Sequence, residues 1–320
     1  MPISQYLKEI GRGQHGTRAL SREQAADLFG QVLDGAVTDL EIGAFCIAMR
    51  IKGETPEEMA GFLDATYPRL NRLPESKRPL VVLPSYNGAR KLPLLTPLLA
   101  LLLAREGLPV LIHGATTESN RIFVSNVLDA LVQRSCTAIK MIPIDGAEPA
   151  AVKDGEVAWL PTAALSPGLA RLLEVRRAIG LRNPAHSLVK VMNPCAGPAV
   201  VVGSYTHPEY AVSMAALFEL IDADALLLRG TEGEPVADPR RMPQMDGFIK
   251  GQRTTLEQPQ RSSEVEAPVL PDAIDPESTA AYTRAVLANE LPVPPSIARQ
   301  AEHIAQLVRS CSTDTVAPRT

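Results

Sequence analysis

The apolar and polar positions of the first seventy residues follow the pattern of consecutive helices. Three segments begin with a capping box, in which a hydroxyl side chain and a Glu or Gln three residues later satisfy each other's backbone amides. These boxes are Ser21–Gln24, Thr38–Glu41 and Thr55–Glu58. Gly35 and Gly53 fall where the preceding helices should end. The pattern predicts a helical domain at the beginning of the chain.

The middle helix of this domain, Leu40 to Ile51, carries apolar residues on most of its faces. A helix that is apolar nearly all round is buried on all sides. In a small helical domain, this indicates a helix that is shared with a partner subunit. We therefore expect a homodimer that associates through residues 1–73, to which the stretch from about 166 to 185 returns.

From residue 79 to residue 320 the pattern changes to short apolar runs separated by helical stretches. The apolar runs are Leu80–Leu83, Pro109–His113, Ala138–Ile142, Ala199–Tyr205 and Ala225–Leu228. Buried strands that alternate with helices are typical of an α/β domain with a mostly parallel central sheet. We expect the polar run Thr254–Pro271 to form a long loop or flap. The tail, Pro276–Ser310, should form two more helices.

Composition limits the classes of function. The chain of 320 residues is 45% apolar and only 4% aromatic, which allows a large core but not a surface of base-stacking rings. Its net charge of −4 alone predicts no polyanionic partner. Its four cysteines are scattered without a CxxC pair, as expected of buried thiols in a reducing compartment. With no signal core and no membrane-spanning run, we expect a cytoplasmic protein without membrane contact.

The segment after the first predicted strand, Pro84–Lys91, is rich in turn residues and ends in two cations, Arg90 and Lys91. It continues into Thr96 and Pro97, which suit the N-cap and first position of a helix. Because a helix N-terminus presents free amides and a positive dipole, this loop suits an anion, with the two cations as phosphate contacts. The alternative is a solvated surface turn.

Two further strand ends carry candidate chemistry. His113 ends the second strand, where a histidine is either a functional group or a structural hydrogen-bonding residue. Glu232 and Glu234 follow a later strand, one residue apart. Such a pair can hold Mg²⁺ through phosphate oxygens, although the sequence shows no further ligand beside it.

Charge is segregated along the chain. Between Arg69 and Lys91 there are six cations and one acid, whereas the stretch from residue 263 to residue 290 holds six acids and one arginine. A second basic cluster consists of Arg171, Arg176, Arg177, Arg182 and Lys190. Binding of a phosphate backbone depends on such local clusters and not on the net charge. The alternative is that these are ordinary solvated faces.

Part of the helical domain resembles a known family. Ile42–Phe45 and Met49–Glu58 are similar to the helical-domain signature of anthranilate phosphoribosyltransferase and its relatives, and the resemblance extends over nearly the whole chain. It implies the nucleoside-phosphorylase/phosphoribosyltransferase-like fold, with a small helical dimerisation domain beside a large α/β domain. It also implies an active cleft between the two domains.

The catalytic motifs of that family are altered in this chain. The family's diphosphate loop, GTGGDGANTFNIST, corresponds to Leu83–Thr96, in which three glycines are replaced and Asn87 stands for the aspartate, while Gly88 is retained. In the family's KHGNR motif only His113 and the glycine after it remain. Ordinary anthranilate phosphoribosyl transfer is therefore not expected. The phosphate contacts that remain are Asn87, Gly88, Thr96 and His113.

The replacement motifs are themselves distinctive. They are Pro84–Lys91, Leu95–Ala100, Arg182–His186, Thr206–Tyr210 and Gly230–Glu234. They look like those of the bacterial YbiB group, a divergent branch of the same family. This resemblance implies a homodimer that binds nucleic acid, single strands included, with little sequence preference and without the parent transferase activity.

We therefore expect a homodimer that binds single-stranded DNA or RNA mainly by electrostatic contacts, because few aromatic side chains are available for stacking. The expected contacts in the basic clusters are Arg90, Lys91, Arg176, Arg177, Arg182 and Lys190. No catalytic residue is assigned and no cofactor is required, with Mg²⁺ at Glu232 and Glu234 as an option. The alternatives are a phosphoribosyl or other pentosyl transferase acting on an altered substrate, and a protein-interaction scaffold.

Overall fold

The computed structural model describes residues 2–13, 16–118, 120–134, 138–141, 150–260 and 268–313. Its N-terminal helices are α1 (Ile3–Ile10), α2 (Arg22–Asp34), α3 (Asp39–Lys52) and α4 (Pro56–Thr66). All three predicted capping boxes are confirmed, since both hydrogen bonds of each box are present at the beginning of α2, α3 and α4. α2 ends at Gly35, whose φ of 72° is a left-handed conformation that glycine adopts without strain.

Aromatic packing joins three of these helices. Phe29, Phe45 and Phe62, from α2, α3 and α4, are fully buried. The rings of Phe29 and Phe62 stack with their centroids 4.6 Å apart, and Phe45 meets Phe62 edge-on at 6.1 Å. Each such pair contributes about 0.5–1.5 kcal/mol beyond the area that it buries. The three helices therefore share one core.

The outer face of α3 differs from the expectation of a helix buried on all sides. Leu40 and Ile51 are 84% and 74% exposed, and Ile47 is 36% exposed. These three residues lie on one face, because positions seven and eleven apart return to nearly the same angle at 3.6 residues per turn. A single chain buries only the opposite face of α3, which carries Phe45 and Met49. Burial of the outer face by a second subunit stays a prediction.

The rest of the chain builds one sheet of eight strands in the order β3-β4-β2-β1-β5-β6-β7-β8. The strands are β1 (Leu80–Ser85), β2 (Val110–Gly114), β3 (Ile139–Met141), β4 (Val157–Pro161), β5 (Ala199–Tyr205), β6 (Ala225–Arg229), β7 (Met245–Ile249) and β8 (Gln252–Glu257). β1 to β6 pair in parallel, and β7 and β8 add an antiparallel edge. The predicted mostly parallel central sheet is confirmed.

Helices cover both faces of this sheet. They are α5 (Thr96–Arg105), α6 (Val124–Val132), α7 (Thr162–Leu165), α8 (Pro167–Ile179), α9 (Ala185–Leu188), α10 (Pro208–Leu220), α11 (Pro276–Leu287) and α12 (Pro295–Thr313). Successive residues of β1 serve two cores: Val81 and Leu83 pack with α5, α6, α11 and α12, whereas Leu80 and Val82 belong to the core that includes α10 and the N-terminal helices. The helical domain therefore packs against one face of the sheet.

α8 lies against α2 of the N-terminal domain. Arg171 donates a hydrogen bond to the carbonyl oxygen of Val32 at 2.9 Å. Gly168 approaches the same helix so closely that a Cβ atom there would lie 2.3 Å from the carbonyl oxygen of Leu33. The absence of a side chain at residue 168 is therefore required by this contact.

The prediction of a loop or flap at Thr254–Pro271 is wrong for its first residues, because β8 continues through Thr254 to Glu257. β8 is an edge strand held by polar contacts: Arg253 and Thr255 donate to the carboxylate of Asp246 on β7 at 2.9 and 2.8 Å. Exposure at the edge, and not the lack of order, explains its polar sequence. Residues 261–267, in the middle of the expected flap, lie outside the described residues.

α11 and α12 confirm the two predicted helices of the tail. Cys46 and Cys195 are buried free thiols, Cys311 is also buried, and Cys136 lies outside the described residues. Within the ranges that the structure describes, no helix has the length and apolar character needed to cross a membrane.

Candidate functional site

Four segments meet where the parallel strands end. Parallel strands bring their carboxyl ends to one edge of a sheet, which is where open α/β sheets bind ligands. The segments follow β1, β2, β5 and β6 and contain most of the residues singled out in the sequence. They are residues 85–92, 113–118, 205–210 and 229–234. We call the first of them loop 85–92.

The backbone amides of this loop bind the side chain of Glu234. The Glu234 carboxylate is only 1% exposed, and its Oε1 accepts the N–H groups of Asn87 and Gly88, both at 2.7 Å. Its Oε2 accepts the hydroxyl of Ser85 and, at 3.4 Å, that of Thr96. Four donors from the loop and the beginning of α5 therefore surround one buried carboxylate.

Glu232 binds the remainder of the loop. Its Oε2 accepts the N–H groups of Arg90, Lys91 and Leu92 at 2.9, 3.0 and 3.2 Å. Desolvation opposes ionisation of this carboxyl, but the three donors outweigh it and keep the pKa of Glu232 below its usual value. Glu232 has a φ of 53°, a left-handed conformation that costs a non-glycine residue about 1–2 kcal/mol. The turn after β6 thus accepts backbone strain while it presents both carboxylates to the loop.

These contacts correct the expected roles at this end of the site. Asn87, Gly88 and Thr96 donate to a carboxylate of the same chain and are not free for an external phosphate. Glu232 and Glu234 do not fit a magnesium site as they stand, because their oxygens are engaged by N–H and hydroxyl donors whereas Mg²⁺ needs an octahedron of oxygen ligands. Among the described residues, no three potential metal-ligating side chains converge.

His113 is fully buried at the end of β2. Its Nδ1 lies 2.8 Å from the hydroxyl of Tyr86, which lies 2.8 Å from Oγ1 of Thr162. The hydroxyl of Thr162 donates its hydrogen bond to the carbonyl oxygen of Gly114 at 2.9 Å. The hydroxyl of Tyr86 must therefore donate to Oγ1 of Thr162, and Nδ1–H of His113 donates to the hydroxyl of Tyr86. Burial lowers the pKa of His113 to about 3. His113 is therefore a neutral structural residue, which corrects its expected role as a phosphate contact.

Beside the loop, two arginines pair with one carboxylate, and a third arginine interacts with it electrostatically without forming an ion pair. Arg121 and Arg176 lie 3.2 and 2.7 Å from the carboxylate oxygens of Glu118. Arg121 also donates to the carbonyl oxygen of Gly88 at 3.4 Å, which attaches the cluster to the loop. Arg182 is half-buried and makes no hydrogen bond or ion pair with any residue that the structure describes. Burial lowers the pKa of Arg182, and the positive charges of Arg176 and Arg121 lower it further.

Lys190 extends this positive region into the protein. Its ammonium donates to the carbonyl oxygens of Gly233 at 2.8 Å and Ser204 at 3.4 Å, and it pairs with no carboxylate in the described part of the chain. Burial lowers the pKa of Lys190 to about 8, with the negative charge of Glu234 opposing this shift and the positive charge of Arg182 adding to it. Lys190 is therefore charged at neutral pH and loses its charge near pH 8.

Arg182, Lys190 and His186 line a cavity of about 550 Å³ between the helical and α/β domains. Its other walls include the turn between α3 and α4 and the half-buried rings of Tyr205 and Tyr210. Nε2 of His186 is buried there without a hydrogen-bond partner among the described residues. Burial lowers the pKa of His186 to about 3, and the charge of Arg182 lowers it further, so the ring is neutral.

Among the described residues that line this cavity, cations outnumber acids. Arg50 joins Arg182 and Lys190, and the acids are Glu54 and Glu209. Burial raises the pKa of Glu54, which favours its neutral form. Glu209 is exposed at the beginning of α10. The cavity therefore has a positive balance of charge and cationic groups without a described carboxylate partner.

Arg121 links loop 85–92 to Glu118 and Arg176, and Arg182 interacts electrostatically with Arg176 and, in the cavity, with Lys190. We call this set of cations the cleft row, and its members are Arg90, Lys91, Arg121, Arg176, Arg182 and Lys190. Arg177 lies beside the row, where it pairs with Glu174 at 2.7 Å and donates to the carbonyl oxygen of Thr116 at 3.3 Å. Arg121 has no cationic neighbour in the sequence, so charge clustering could not indicate it.

The chain is similar to proteins of one family. Residues 4–67 match the model of the glycosyl transferase family, helical bundle domain. The uncharacterized protein YbiB of Escherichia coli strain K12 is 38% identical over 300 residues, which cover 93% of this chain and 91% of that protein. Anthranilate phosphoribosyltransferase of Halobacterium salinarum is 28% identical over 298 residues, which cover 91% of this chain and 84% of that enzyme.

Solved structures share the fold. Anthranilate phosphoribosyltransferase from Thermus thermophilus superposes with a TM-score of 0.69 at 22% identity, covering 97% of this chain and 90% of that one. The enzyme from Saccharomyces cerevisiae in complex with PRPP and Mg superposes with a TM-score of 0.66 at 13% identity, covering 96% and 89%. These likenesses confirm a small helical domain joined to a large α/β domain with a mostly parallel sheet.

Proposed function

The chain belongs to the family of the Escherichia coli protein YbiB, a branch related to the anthranilate phosphoribosyltransferases, and on this premise we propose that it binds nucleic acid. The ligand is the sugar–phosphate backbone of single-stranded DNA or RNA, bound with little sequence preference. The observation that carries the proposal is the cleft row, in which Arg121, Arg176, Arg182 and Lys190 interact in sequence and Arg121 joins them to the loop that bears Arg90 and Lys91.

The charges of the row are only partly compensated by the chain. Glu118 pairs with Arg121 and Arg176, while Arg182 and Lys190 have no carboxylate partner among the described residues. Holding unpaired charges away from water is unfavourable, and a bound phosphate would remove that cost. Arginine suits this ligand, because its planar group donates two parallel hydrogen bonds to a phosphate.

The side chains around the row favour electrostatic binding over base recognition. The half-buried rings of Tyr205 and Tyr210 are the aromatic surfaces of the described cavity lining. Stacking on aromatic rings is therefore limited, and most of the binding free energy should come from counterion release at phosphates. Such binding weakens steeply with salt and depends little on base sequence.

The test is the affinity for a single-stranded oligonucleotide, measured by fluorescence anisotropy across a salt series. If all six cations of the row engage phosphates, log K falls against log salt with a slope of about −4, and with fewer contacts the slope is shallower in proportion. Two oligonucleotides of different sequence and equal length should bind alike. A flat slope, or no binding at low salt, contradicts the proposal.

The proposal includes a homodimer. The outer face of α3 exposes Leu40 and Ile51 in a single chain, and these side chains would be buried if a second copy of the chain covered that face. Replacing both by aspartate should convert a dimer to a monomer in sedimentation experiments. A wild-type protein that sediments as a monomer would contradict this part of the proposal.

A transferase acting on an altered substrate is the second candidate, favoured by the cavity of about 550 Å³ between the two domains. In that case the cations of the cavity would hold an anionic substrate. Calorimetric titration with phosphoribosyl diphosphate and Mg²⁺ separates the two candidates. Saturable binding together with product formation from an added acceptor would favour the transferase.

A further inference from the structure

Loop 85–92 has the donors of an anion site, and the chain itself supplies the anions. Five backbone N–H groups of the loop point to two carboxylate groups, those of Glu232 and Glu234, at distances of 2.7 to 3.2 Å. Convergent backbone amides of this kind form concave binding sites for phosphate and similar anions. The hydroxyls of Ser85 and Thr96 complete the donor set on Glu234.

The turn that carries the two carboxylates is shaped closely to the loop. Gly233 has a φ of 88°, and a Cβ atom there would lie 1.9 Å from Nδ2 of Asn87. The side-chain amide of Asn87 in turn donates to the carbonyl oxygen of Glu232 at 2.8 Å. Lys190 donates to the carbonyl oxygen of Gly233 at 2.8 Å, so the turn is fixed from its other side as well. The contact is therefore extensive and not a chance approach of two side chains.

We infer that Glu232 and Glu234 are intramolecular anions that close this site to an external diphosphate. The two carboxylates occupy the donors that a diphosphate would need, and their negative charges would repel it. Removal of both carboxylates would leave five convergent amides without an acceptor. Such a vacated loop should bind inorganic pyrophosphate, which offers two anionic groups to the two halves of the loop.

This closure is independent of the proposed nucleic-acid binding, which uses side chains of the cleft row. The contacts of Glu232 nevertheless affect the cleft row, because they hold the backbone of Arg90 and Lys91 in place. The protein thereby keeps two cations at the beginning of the row while its backbone donors are withheld from phosphate.

The experiment compares the full-length protein with the double variant Glu232→Ala/Glu234→Ala. Inorganic pyrophosphate without metal is titrated by calorimetry, and thermal unfolding is measured with and without it. Pyrophosphate that binds the wild type should bind at the cationic cavity and should leave hydrogen exchange of the loop amides unchanged. The double variant should unfold at a lower temperature, bind pyrophosphate at one additional site that slows hydrogen exchange of the loop amides, and recover several degrees of Tm in its presence. Glu219→Ala/Glu290→Ala, which removes two exposed carboxylates, should behave as the wild type.

A second measurement applies if the double variant does not fold alone. Refolding is then compared with and without pyrophosphate, and only the pyrophosphate sample should fold. In the wild type, hydrogen exchange of the amides of residues 87, 88 and 90–92 should be slow without any ligand and unchanged by pyrophosphate. Pyrophosphate binding to the wild type that slows exchange at these amides overturns the inference, as does a folded double variant that does not bind it.

Discussion

Loop 85–92 and the cavity beside Arg182 are two anion-binding environments at the same edge of the sheet. They differ in whether carboxylates of the chain already bind their donor groups. The loop offers backbone amides, and two carboxylates of the chain occupy them. The cavity offers the cationic side chains of Arg182 and Lys190, and no described carboxylate pairs with them. The comparison indicates that an external anion should bind at the cavity and not at the loop.

The largest expected effect comes from removing the unpaired cations. Arg182→Gln/Lys190→Gln should weaken binding of a single-stranded oligonucleotide by about 10- to 100-fold or more at low salt, since each lost hydrogen bond to a charged group contributes about 1.5–3 kcal/mol. Because a buried unpaired charge is unfavourable in the free protein, the Tm should not fall by more than a few degrees. Anisotropy titrations and thermal unfolding measure the two quantities.

Two further variants test whether the loss of affinity is specific to the cations of the cavity. Arg22→Gln/Arg299→Gln removes the same number of charges from ion pairs on α2 and α12 and should change the affinity less than about twofold. Arg90→Ala/Lys91→Ala should have an intermediate effect, because these exposed side chains keep most of their hydration in a complex. Equal losses of affinity in Arg182→Gln/Lys190→Gln and in the Arg22/Arg299 control would show that the effect is not specific to the cavity.

A smaller effect of opposite sign is expected at Glu118. Glu118→Gln removes the carboxylate that pairs with Arg121 and Arg176, so the row gains one positive charge in excess. Oligonucleotide binding should tighten several-fold and the salt slope should steepen by about 0.7, which corresponds to one more phosphate. Glu174→Gln, which releases only the exposed Arg177, is the matched control and should change affinity less. A folded Glu118→Gln protein with weaker binding would contradict this role.

The smallest effect concerns pH. The pKa of Lys190 is lowered to about 8, so its charge is present below that pH and is lost above it, while ordinary lysines stay charged to about pH 10. Affinity for the oligonucleotide should therefore fall roughly two- to fivefold between pH 7 and pH 9, by one weakened phosphate contact. Lys190→Arg should remove this decrease, since a guanidinium stays charged in this range. An unchanged pH profile in Lys190→Arg would assign the decrease to another group.

Local rules allowed much of the fold to be predicted. The capping boxes at Ser21, Thr38 and Thr55 depend on contacts within four residues, and all three are present. The strands β1, β2 and β5 are apolar because both faces of a parallel sheet are covered by helices, so their runs stand out in the sequence. β8 was missed for the converse reason, since an edge strand can be polar.

The candidate site was predicted less completely. The sequence indicated an anion-binding loop at residues 84–91, an acidic pair at Glu232 and Glu234, and basic clusters that include Arg182 and Lys190. It did not indicate that the first two features bind each other, because the hydrogen bonds between them join residues more than 130 positions apart. Nor did it indicate Arg121, which has no cationic neighbour in the sequence.

The amino-acid pattern alone predicts the helical domain, the parallel sheet and the residue types gathered at the carboxyl edge of that sheet. These follow from short-range periodicity, helix caps and turn chemistry. The pairing of donors with acceptors is visible only in the folded chain: the amides of loop 85–92 bind Glu232 and Glu234, while Arg182 has no described partner. The physical reason is that compensation of charge depends on distances in space, and those distances are set by the packing of strands that lie far apart in the chain.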